Sequence, residues 1–588
     1  GRAAGAAARL SKAPTVRRDA SRQNGPPEIR PMIPPRQAPP PRSVPAQVDA
    51  GDCRSLVSLL DRSFERHATQ PAFRFLGRDI RYERIDHLSR SLAAWLQQQG
   101  LERGDRVAVM LSNVPQVAVA VAAILRAGLV VVNVDPLLTP RALEHQLRDA
   151  GARAIVILEN VAHTLQQVLP QLPLRSIVVA ATGDLLGPVK GAVVNYLTRR
   201  VRRLVPPFDL PRAVPFADAI AHGRSLVCTE SDPGPDDIAL LQYTGGTTGI
   251  SRGAVLLHRN LVANLLQCEA WYGPALRRVP AGEQLVLACA MPLHHLFGFS
   301  IGLMLGMHLG GCHVVIPNPR DIADLLGTLE GEKLHGLSAA NTVFPALVAH
   351  PHFERVDWSS LVLAVSGGMA VHPAAAQAWA QRTGCPICET YGLTEASPVA
   401  SCNRLDATGS PEAGGIGRPL PGTDMKIVDD DGRELPPGEP GEIVIRGPQV
   451  MAGYWQRPDE TSRAMTADGF LRSGDIGVMD DGGRFRLVDR KQDMLVVGGH
   501  KVSPTEIEDI VASMPGVLDV AAVGTRDPRG GEGIKVVVVR KDTSIAEAQV
   551  RAFAEARLPG HKRPQLIEFR DALPRTPQGK VLRRELRG

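Results

Sequence analysis

Apolar residues recur along this chain in two rhythms, and the change from one to the other divides it. Residues 55–67 and 85–99 carry apolar side chains three and four apart, the period of an amphipathic helix, and Gly100 closes the second. Residues 107–111 form a short unbroken apolar run, which predicts a buried strand. The same reading predicts a helix at 117–125, a strand at 129–134, a helix at 141–150 and a strand at 154–158. Arg126 and Gly128 interrupt the most apolar window, 117–134, which therefore predicts helix, turn and strand rather than a membrane span. Strands alternating with helices predict parallel α/β sheets, and a second such rhythm runs from 289 to 381.

From Pro411 the rhythm changes. Short strands at 425–428 and 442–446 lie among turns at Asp430-Asp-Gly432, Pro436-Pro-Gly438 and Asp481-Gly-Gly483, which predicts a small β-rich subdomain. Asp489-Arg-Lys-Gln-Asp493 is a charged connector. Beyond it, strands at 494–497, 520–524, 534–540 and 566–569 and helices at 504–514 and 545–558 predict a compact α+β unit. The fold class expected is α/β. A large N-terminal domain over 51–488 holds parallel α/β sheets and the β-rich subdomain; a hinge at 489–493 leads to a small α+β C-terminal domain over 494–588. Residues 1–50 contain ten prolines and no apolar period, and predict a disordered or extended tail.

Charge and cysteine usage then exclude some functions. The net charge of +6 over 588 residues sits wholly in residues 1–50, which hold nine basic and three acidic residues, while the remainder is balanced. A nucleic-acid-binding protein would carry a basic body, so no nucleic-acid partner is expected. Eight scattered cysteines are too few for a disulfide scaffold and fit a reducing, cytoplasmic compartment. Cys385-Pro-Ile-Cys388 has redox or zinc spacing but no second pair, so two buried thiols on a strand are expected. In residues 193–205, Val193, Leu197, Val201 and Leu204 are three or four apart, with Lys190, Arg199, Arg200, Arg202 and Arg203 among or beside them. This is either a basic amphipathic helix in peripheral contact with a membrane through 190–205, or a surface helix with a solvated arginine face.

The candidate chemistry starts at Tyr243-Thr-Gly-Gly-Thr-Thr-Gly-Ile-Ser-Arg-Gly253, which follows an apolar strand. Gly245, Gly246 and Gly249 let backbone N–H groups approach a ligand closely, Thr244, Thr247, Thr248 and Ser251 add hydroxyls, and Arg252 adds a fixed cation. Together these suit a polyphosphate, although the spacing is not that of the P-loop.

The same stretch resembles the signature loop of the adenylate-forming enzymes: acyl-CoA synthetases, peptide-synthetase adenylation domains and luciferases. The family usually has Pro-Lys-Gly where this chain has Ser251-Arg252-Gly253. Tyr391-Gly-Leu-Thr-Glu395, Phe470-Leu-Arg-Ser-Gly-Asp475, Asp489-Arg490, Val502-Ser-Pro-Thr-Glu-Ile-Glu508 and Pro577-Gln-Gly-Lys-Val-Leu-Arg583 resemble the later motifs, in order. The likeness is nearest to bacterial long-chain fatty acid–CoA ligases, also through 195–200 and Pro448-Gln-Val-Met-Ala-Gly-Tyr-Trp455.

The resemblance implies ATP-dependent activation of a medium- or long-chain fatty acid to an acyl-adenylate, then transfer to coenzyme A. It implies Mg²⁺ on Glu395 and Thr244, Thr394 on the α-phosphate, and Tyr391 and Gly392 at adenine with Gly367 and Gly368. Asp475 and Arg490 would hold the ribose, and Lys580 would bridge α-phosphate and carboxylate. The C-terminal domain would be mobile, turning near Gln492. His295 either lines an acyl pocket with Phe297 and Gly298 or is a satisfied core histidine. Two other functions remain open at this point: loading a carrier-protein phosphopantetheine, or a catalytically quiet acyl-binding partner at the membrane.

Overall fold

The computed structural model describes residues 44–49, 51, 53–244, 251–368, 371–403, 415–497, 500–526, 532–575 and 581–587. The chain divides into Gly1–Ala38, outside the described residues, and Pro39–Gly588, to which everything below refers. Most of the expected tail is likewise outside them. Within residues 44–49, Val44 is buried and Gly422 donates its N–H to the Ala46 carbonyl at 2.9 Å, so this end is docked on the body.

Two large sheets carry the α/β rhythm. In one, Arg106–Met110, Val130–Asn133, Ala152–Leu158, Ser176–Ala180, Ala213–Pro215 and Ile238–Thr244 run parallel, and antiparallel Arg252–Leu257 and Gly453–Tyr454 finish the edge. In the other, Val286–Ala290, Cys312–Val314, Gly336–Ala340, Leu363–Gly367 and Ile387–Gly392 run parallel, with Pro71–Phe75 joining in the same sense. Strands buried on both faces read as unbroken apolar runs, which is why 107–111 and 154–158 were legible as strands. One apolar core spans the sheets and takes in Val117 to Leu125, and all eleven residues of the helix Gln116–Arg126 are buried.

The helix His258–Leu276 fastens the rest. Its buried amides Asn260, Asn264 and Gln267 donate to the carbonyls of Pro448 (2.8 Å), Val399 (2.7 Å) and Pro421 (2.7 Å). Each bond satisfies a buried polar group that would otherwise cost about 1–3 kcal/mol, so the three together fix the segments entering and leaving the site. The β-rich piece is the antiparallel sheet Asp424–Val428, Gly441–Arg446, Leu471–Met479, Phe485–Arg490. The C-terminal unit pairs Val517–Arg526, Glu532–Arg540 and Leu566–Arg570 under the helices Pro504–Ala512 and Glu547–Glu555. Cys385 and Cys388 are both buried with free thiols, and Cys388 lies on Ile387–Gly392.

The connector differs from a plain loop. Asp489 and Arg490 end the strand Phe485–Arg490, and Asp475 pairs with Arg490 in register. Lys491 reaches back to Asp430 (3.0 Å) and Glu442 (3.1 Å), whereas Asp493 faces Arg583 (3.4 Å) of the C-terminal unit. Gln492, exposed, lies between these opposed grips.

Candidate active site

The glycine-threonine stretch is the connection of a hairpin. Tyr243 pairs with Gly253 and Thr244 with Arg252, so both ends are set by sheet hydrogen bonding. Gly245, Gly246, Thr247, Thr248 and Gly249 lie outside the described residues. At one end the Tyr243 hydroxyl donates to Asp149 at 2.7 Å, and Arg457 donates to the other oxygen of that carboxylate at 2.6 Å. At the other end Trp455 donates its backbone N–H to the Gly253 carbonyl at 2.8 Å and its indole N–H to the Asp149 carbonyl at 3.1 Å. Asp149 thus ties both flanks of the hairpin to one helix end.

Glu395 comes from a different sheet, on the short turn Thr394–Ala396 after Ile387–Gly392. Gly392 is confined there by the Pro398 carbonyl, against which a Cβ would collide. The Met451 N–H donates to the Glu395 carbonyl at 2.8 Å, and the Tyr454 hydroxyl donates to Glu395 Oε1 at 2.6 Å. Tyr454 is delivered by the strand Gly453–Tyr454, paired to Val255 and Ala254. The Arg252 guanidinium stacks over the Tyr454 ring at 4.6 Å and pairs with Glu460 at 2.7 Å. Burial first, then the Glu395 charge, pushes the Tyr454 phenol well up, so it stays protonated and donates.

A second cluster closes the site. Tyr391 donates its hydroxyl to Asp475 Oδ2 at 2.7 Å, Arg490 Nε meets Oδ1 at 2.8 Å, and Asp475 donates its own N–H to Ser473 Oγ at 3.0 Å. Gly367 ends Leu363–Gly367 beside Thr390, and Gly368, exposed at φ +96°, turns the chain where an L side chain would be strained.

Gly367 also faces the Phe297 ring, 2.6 Å from where its Cβ would lie. A Gly367→Ala change forces the buried Phe297 ring to move, so a loss of about 1–3 kcal/mol in denaturant unfolding is expected. The helical run Gly298–Met304 and Leu305–His308, which follows Phe297 in the chain, lines a small apolar cavity of about 30 Å³, walled by Tyr272, Ile301, Gly302, Leu305, Gly306 and Ser338. Gly298 packs against the Pro292 carbonyl, which leaves no room for a side chain. His295 accepts the Phe297 N–H on Nδ1 at 3.3 Å, and burial lowers its pKa to about 4, so the ring is neutral at pH 7. His294 faces Asp135 at 3.4 Å and gives its carbonyl to Gln242 at 3.2 Å.

Glu395 and Thr244 carry hard oxygen donors of the kind Mg²⁺ takes. Glu395 keeps one oxygen that has no protein hydrogen bond among the described residues, and Thr244 supplies a hydroxyl at the hairpin end. The arrangement therefore combines an oxygen-donor site, a polar cluster that suits a nucleoside and an apolar cavity.

Comparison with known proteins decides the family. The family described as AMP-binding enzyme matches residues 60–455, and the one described as AMP-binding enzyme C-terminal domain matches 506–580. The chain belongs to the AMP-binding enzyme family. A long-chain-fatty-acid–CoA ligase of Escherichia coli O6:H1 is 46% identical over 548 residues, 93% of this chain and 96% of that one. ATP-bound MatB from Rhodopseudomonas palustris superposes with a TM-score of 0.77 at 28% identity, covering 90% of this chain and 98% of the other. An anthranilate CoA ligase in complex with anthranoyl-AMP gives 0.78 at 26% identity, covering 92% and 98%. The α/β architecture with a large N-terminal and a smaller C-terminal part is thus the one this enzyme family adopts.

Among the residues expected from sequence, Thr244 and Arg252 share one register pair, Tyr391, Asp475 and Arg490 form one cluster, and Phe297 touches Gly367. Lys580 lies outside the described residues. Asp149, Arg457 and Glu460 carry no local motif. Glu460 lies 208 positions from Arg252, and only folding makes them neighbours. Tyr454 belongs to the motif at 448–455, but its bond to Glu395 has no signal in the sequence.

Proposed function

We propose that this enzyme activates a medium- or long-chain fatty acid with ATP to an acyl-adenylate and pyrophosphate, and then forms acyl-CoA with release of AMP. The reading is supported by the likeness over most of the chain to long-chain-fatty-acid–CoA ligases, together with the Tyr391–Asp475–Arg490 cluster.

In the first step a carboxylate oxygen attacks the α-phosphorus and the bond to pyrophosphate breaks. A fatty acid has a pKa of about 4–5 and is ionised at pH 7, so no base is required. The difficulty is bringing one anion to another in line, which calls for charge neutralisation and positioning. Arg252 and the hairpin amides bind the phosphates, with Thr394 at the α-phosphate. Arg490 and Asp475 hold the ribose, with Tyr391 and Gly392 against adenine. Glu395 and Thr244 would hold Mg²⁺, which would neutralise phosphate charge. Lys580 bridges the α-phosphate and the attacking carboxylate, because a compact ammonium on a flexible stem follows two moving oxygens. Neutral His295 lines the pocket entrance without holding the carboxylate as an ion pair.

The coenzyme A thiol then attacks the acyl carbon, forming the C–S bond and expelling AMP. At a pKa near about 8.5 a few per cent of the thiol is thiolate at neutral pH. The C-terminal unit, 494–588, turns about 489–493 between the steps. The opposed ion pairs of Lys491 and Asp493 on either side of Gln492 support a pivot there. The enzyme works in the cytoplasm with peripheral membrane contact through 190–205; no helix among the described residues is long and apolar enough to cross a membrane.

The test is ATP–pyrophosphate exchange and coenzyme A-dependent AMP release over saturated acids of two to eighteen carbons. Exchange rising into the medium and long acids, with a thioester product, is expected. AMP formation without a thioester, or transfer only to a holo-carrier protein, overturns the reading.

A further inference from the structure

The segment read from sequence as either a membrane helix or a solvated surface helix has an inner and an outer face in the structure. Pro188–Tyr196 is α-helical, and Leu197–Val201 widens into a π turn closed by the Arg202 N–H on the Leu197 carbonyl at 2.8 Å. The inner face is fully used. Gly191 packs against Gly183, Asn195 accepts the Gly183 N–H at 2.7 Å, and Thr198 is buried with its hydroxyl on the Val194 carbonyl at 2.9 Å. Arg199 pairs with buried Glu159 at 2.7 Å.

The outer face is apolar where an ordinary surface helix is polar. Val189, Val193, Tyr196, Leu197, Val201 and Leu204 are each 42–78% exposed. They are six of the thirteen exposed large apolar residues among the described residues, packed into sixteen positions, which is a patch and not scatter. A second element joins them. Lys190 donates its ammonium to the carbonyl of Leu76, at the tip of the hairpin between Pro71–Phe75 and Arg78–Arg81. Leu76 is itself 42% exposed and sits at φ 48°, where a β-carbon is disfavoured. An exposed leucine in that backbone state gains nothing inside the fold.

We propose that this outer face, with the Leu76 tip beside it, is a docking surface for an anionic phospholipid bilayer, the apolar side chains entering the headgroup boundary. Charge complementarity selects lipid over another protein: beside Lys190 and Arg199, which are held by Leu76 and Glu159, Arg200, Arg202 and Arg203 are exposed, and residues 188–205 contain no acidic residue. Protein interfaces, by contrast, are depleted in lysine and in charge at their cores. The inference rests on, and gives a partner chemistry to, the peripheral contact included in the function above.

The test is co-sedimentation of the full chain with vesicles of phosphatidylcholine alone or with one third phosphatidylglycerol, at low salt. Binding to the anionic vesicles at least about tenfold stronger than to the neutral ones is expected, weakening as salt shortens the Debye length. V193D/V201D should lose at least tenfold, and each of Arg200→Ser and Arg203→Ser about fivefold. Octanoyl-CoA formation from dissolved octanoate should be unchanged in all three, which also reports that they fold. Equal binding to both vesicles, or full binding by V193D/V201D, overturns the proposal. So does a wild-type dimer, by sedimentation velocity, that V193D/V201D dissociates, since a second copy then covers the patch. Failure of octanoyl-CoA formation in the wild type would instead strike the enzymatic reading and leave the vesicle result standing.

Discussion

Replacing Glu395 with glutamine is expected to slow acyl-adenylate formation by about 10²–10³-fold, equivalent to about 2.7–4 kcal/mol of transition-state stabilisation. The prediction follows from what the substitution keeps and what it removes. A glutamine carbonyl still accepts the Tyr454 hydroxyl, now at 2.6 Å from Glu395, so the turn Thr394–Ala396 keeps its support. The negative charge and its hard anionic oxygen are lost. ATP–pyrophosphate exchange at saturating acid gives the rate, and titration calorimetry of Mg²⁺-ATP binding gives a readout independent of turnover. Weaker metal-nucleotide binding with unchanged unfolding is the expected pair of results. A variant exchanging pyrophosphate at the wild-type rate removes Glu395 from the site.

Arg126→Met is expected to destabilise the protein by about 3 kcal/mol. The Arg126 side chain is 2% exposed and pairs with Asp61 and Asp86. It also donates to Ser89 Oγ at 2.6 Å and stacks over Phe64 at 5.0 Å. It therefore joins the helices Leu56–Arg66, Tyr82–Gln98 and Gln116–Arg126. Methionine fills much of the volume but leaves two carboxylates without their buried cation, and breaking such a group from one side costs about 3–5 kcal/mol. The lower end applies because Asp86 keeps Arg90 at 3.1 Å. Guanidinium unfolding monitored by tryptophan fluorescence measures the loss. The combined change R126M/D61L/D86L should recover most of it, because it removes the unpaired charges together; no recovery would mean that packing, not charge, dominates.

The sequence was most legible where burial imposes a period. The helices of the first 150 residues and the strands at 107–111, 129–134 and 154–158 each fall within a few residues of the folded elements, because both-face burial leaves only apolar runs between polar turns. Arg126 was visible only as an interruption of an apolar window. In the structure it is the cation that three helices share, which local pattern has no means of expressing. The basic segment after 188 was legible as amphipathic, yet which face is buried was settled by Gly191, Asn195 and Thr198 turning inward. The site divides in the same way. Glycines and hydroxyls named the chemistry of the hairpin connection, but its flanks are held by Asp149, Arg457 and Trp455, far apart in the chain.

By itself the sequence determined the class of structure and the order of its parts, which follow from composition and period acting over a few residues, and its motifs implied, by resemblance, which residues meet the substrates. The tertiary structure alone decided that Tyr454 supports Glu395, that Arg252 answers Glu460, and that the Phe297 ring packs on Gly367. The physical reason is reach: a hydrogen bond or a ring contact acts over a few ångströms, and only the packing of two sheets brings residues tens or hundreds of positions apart within that distance.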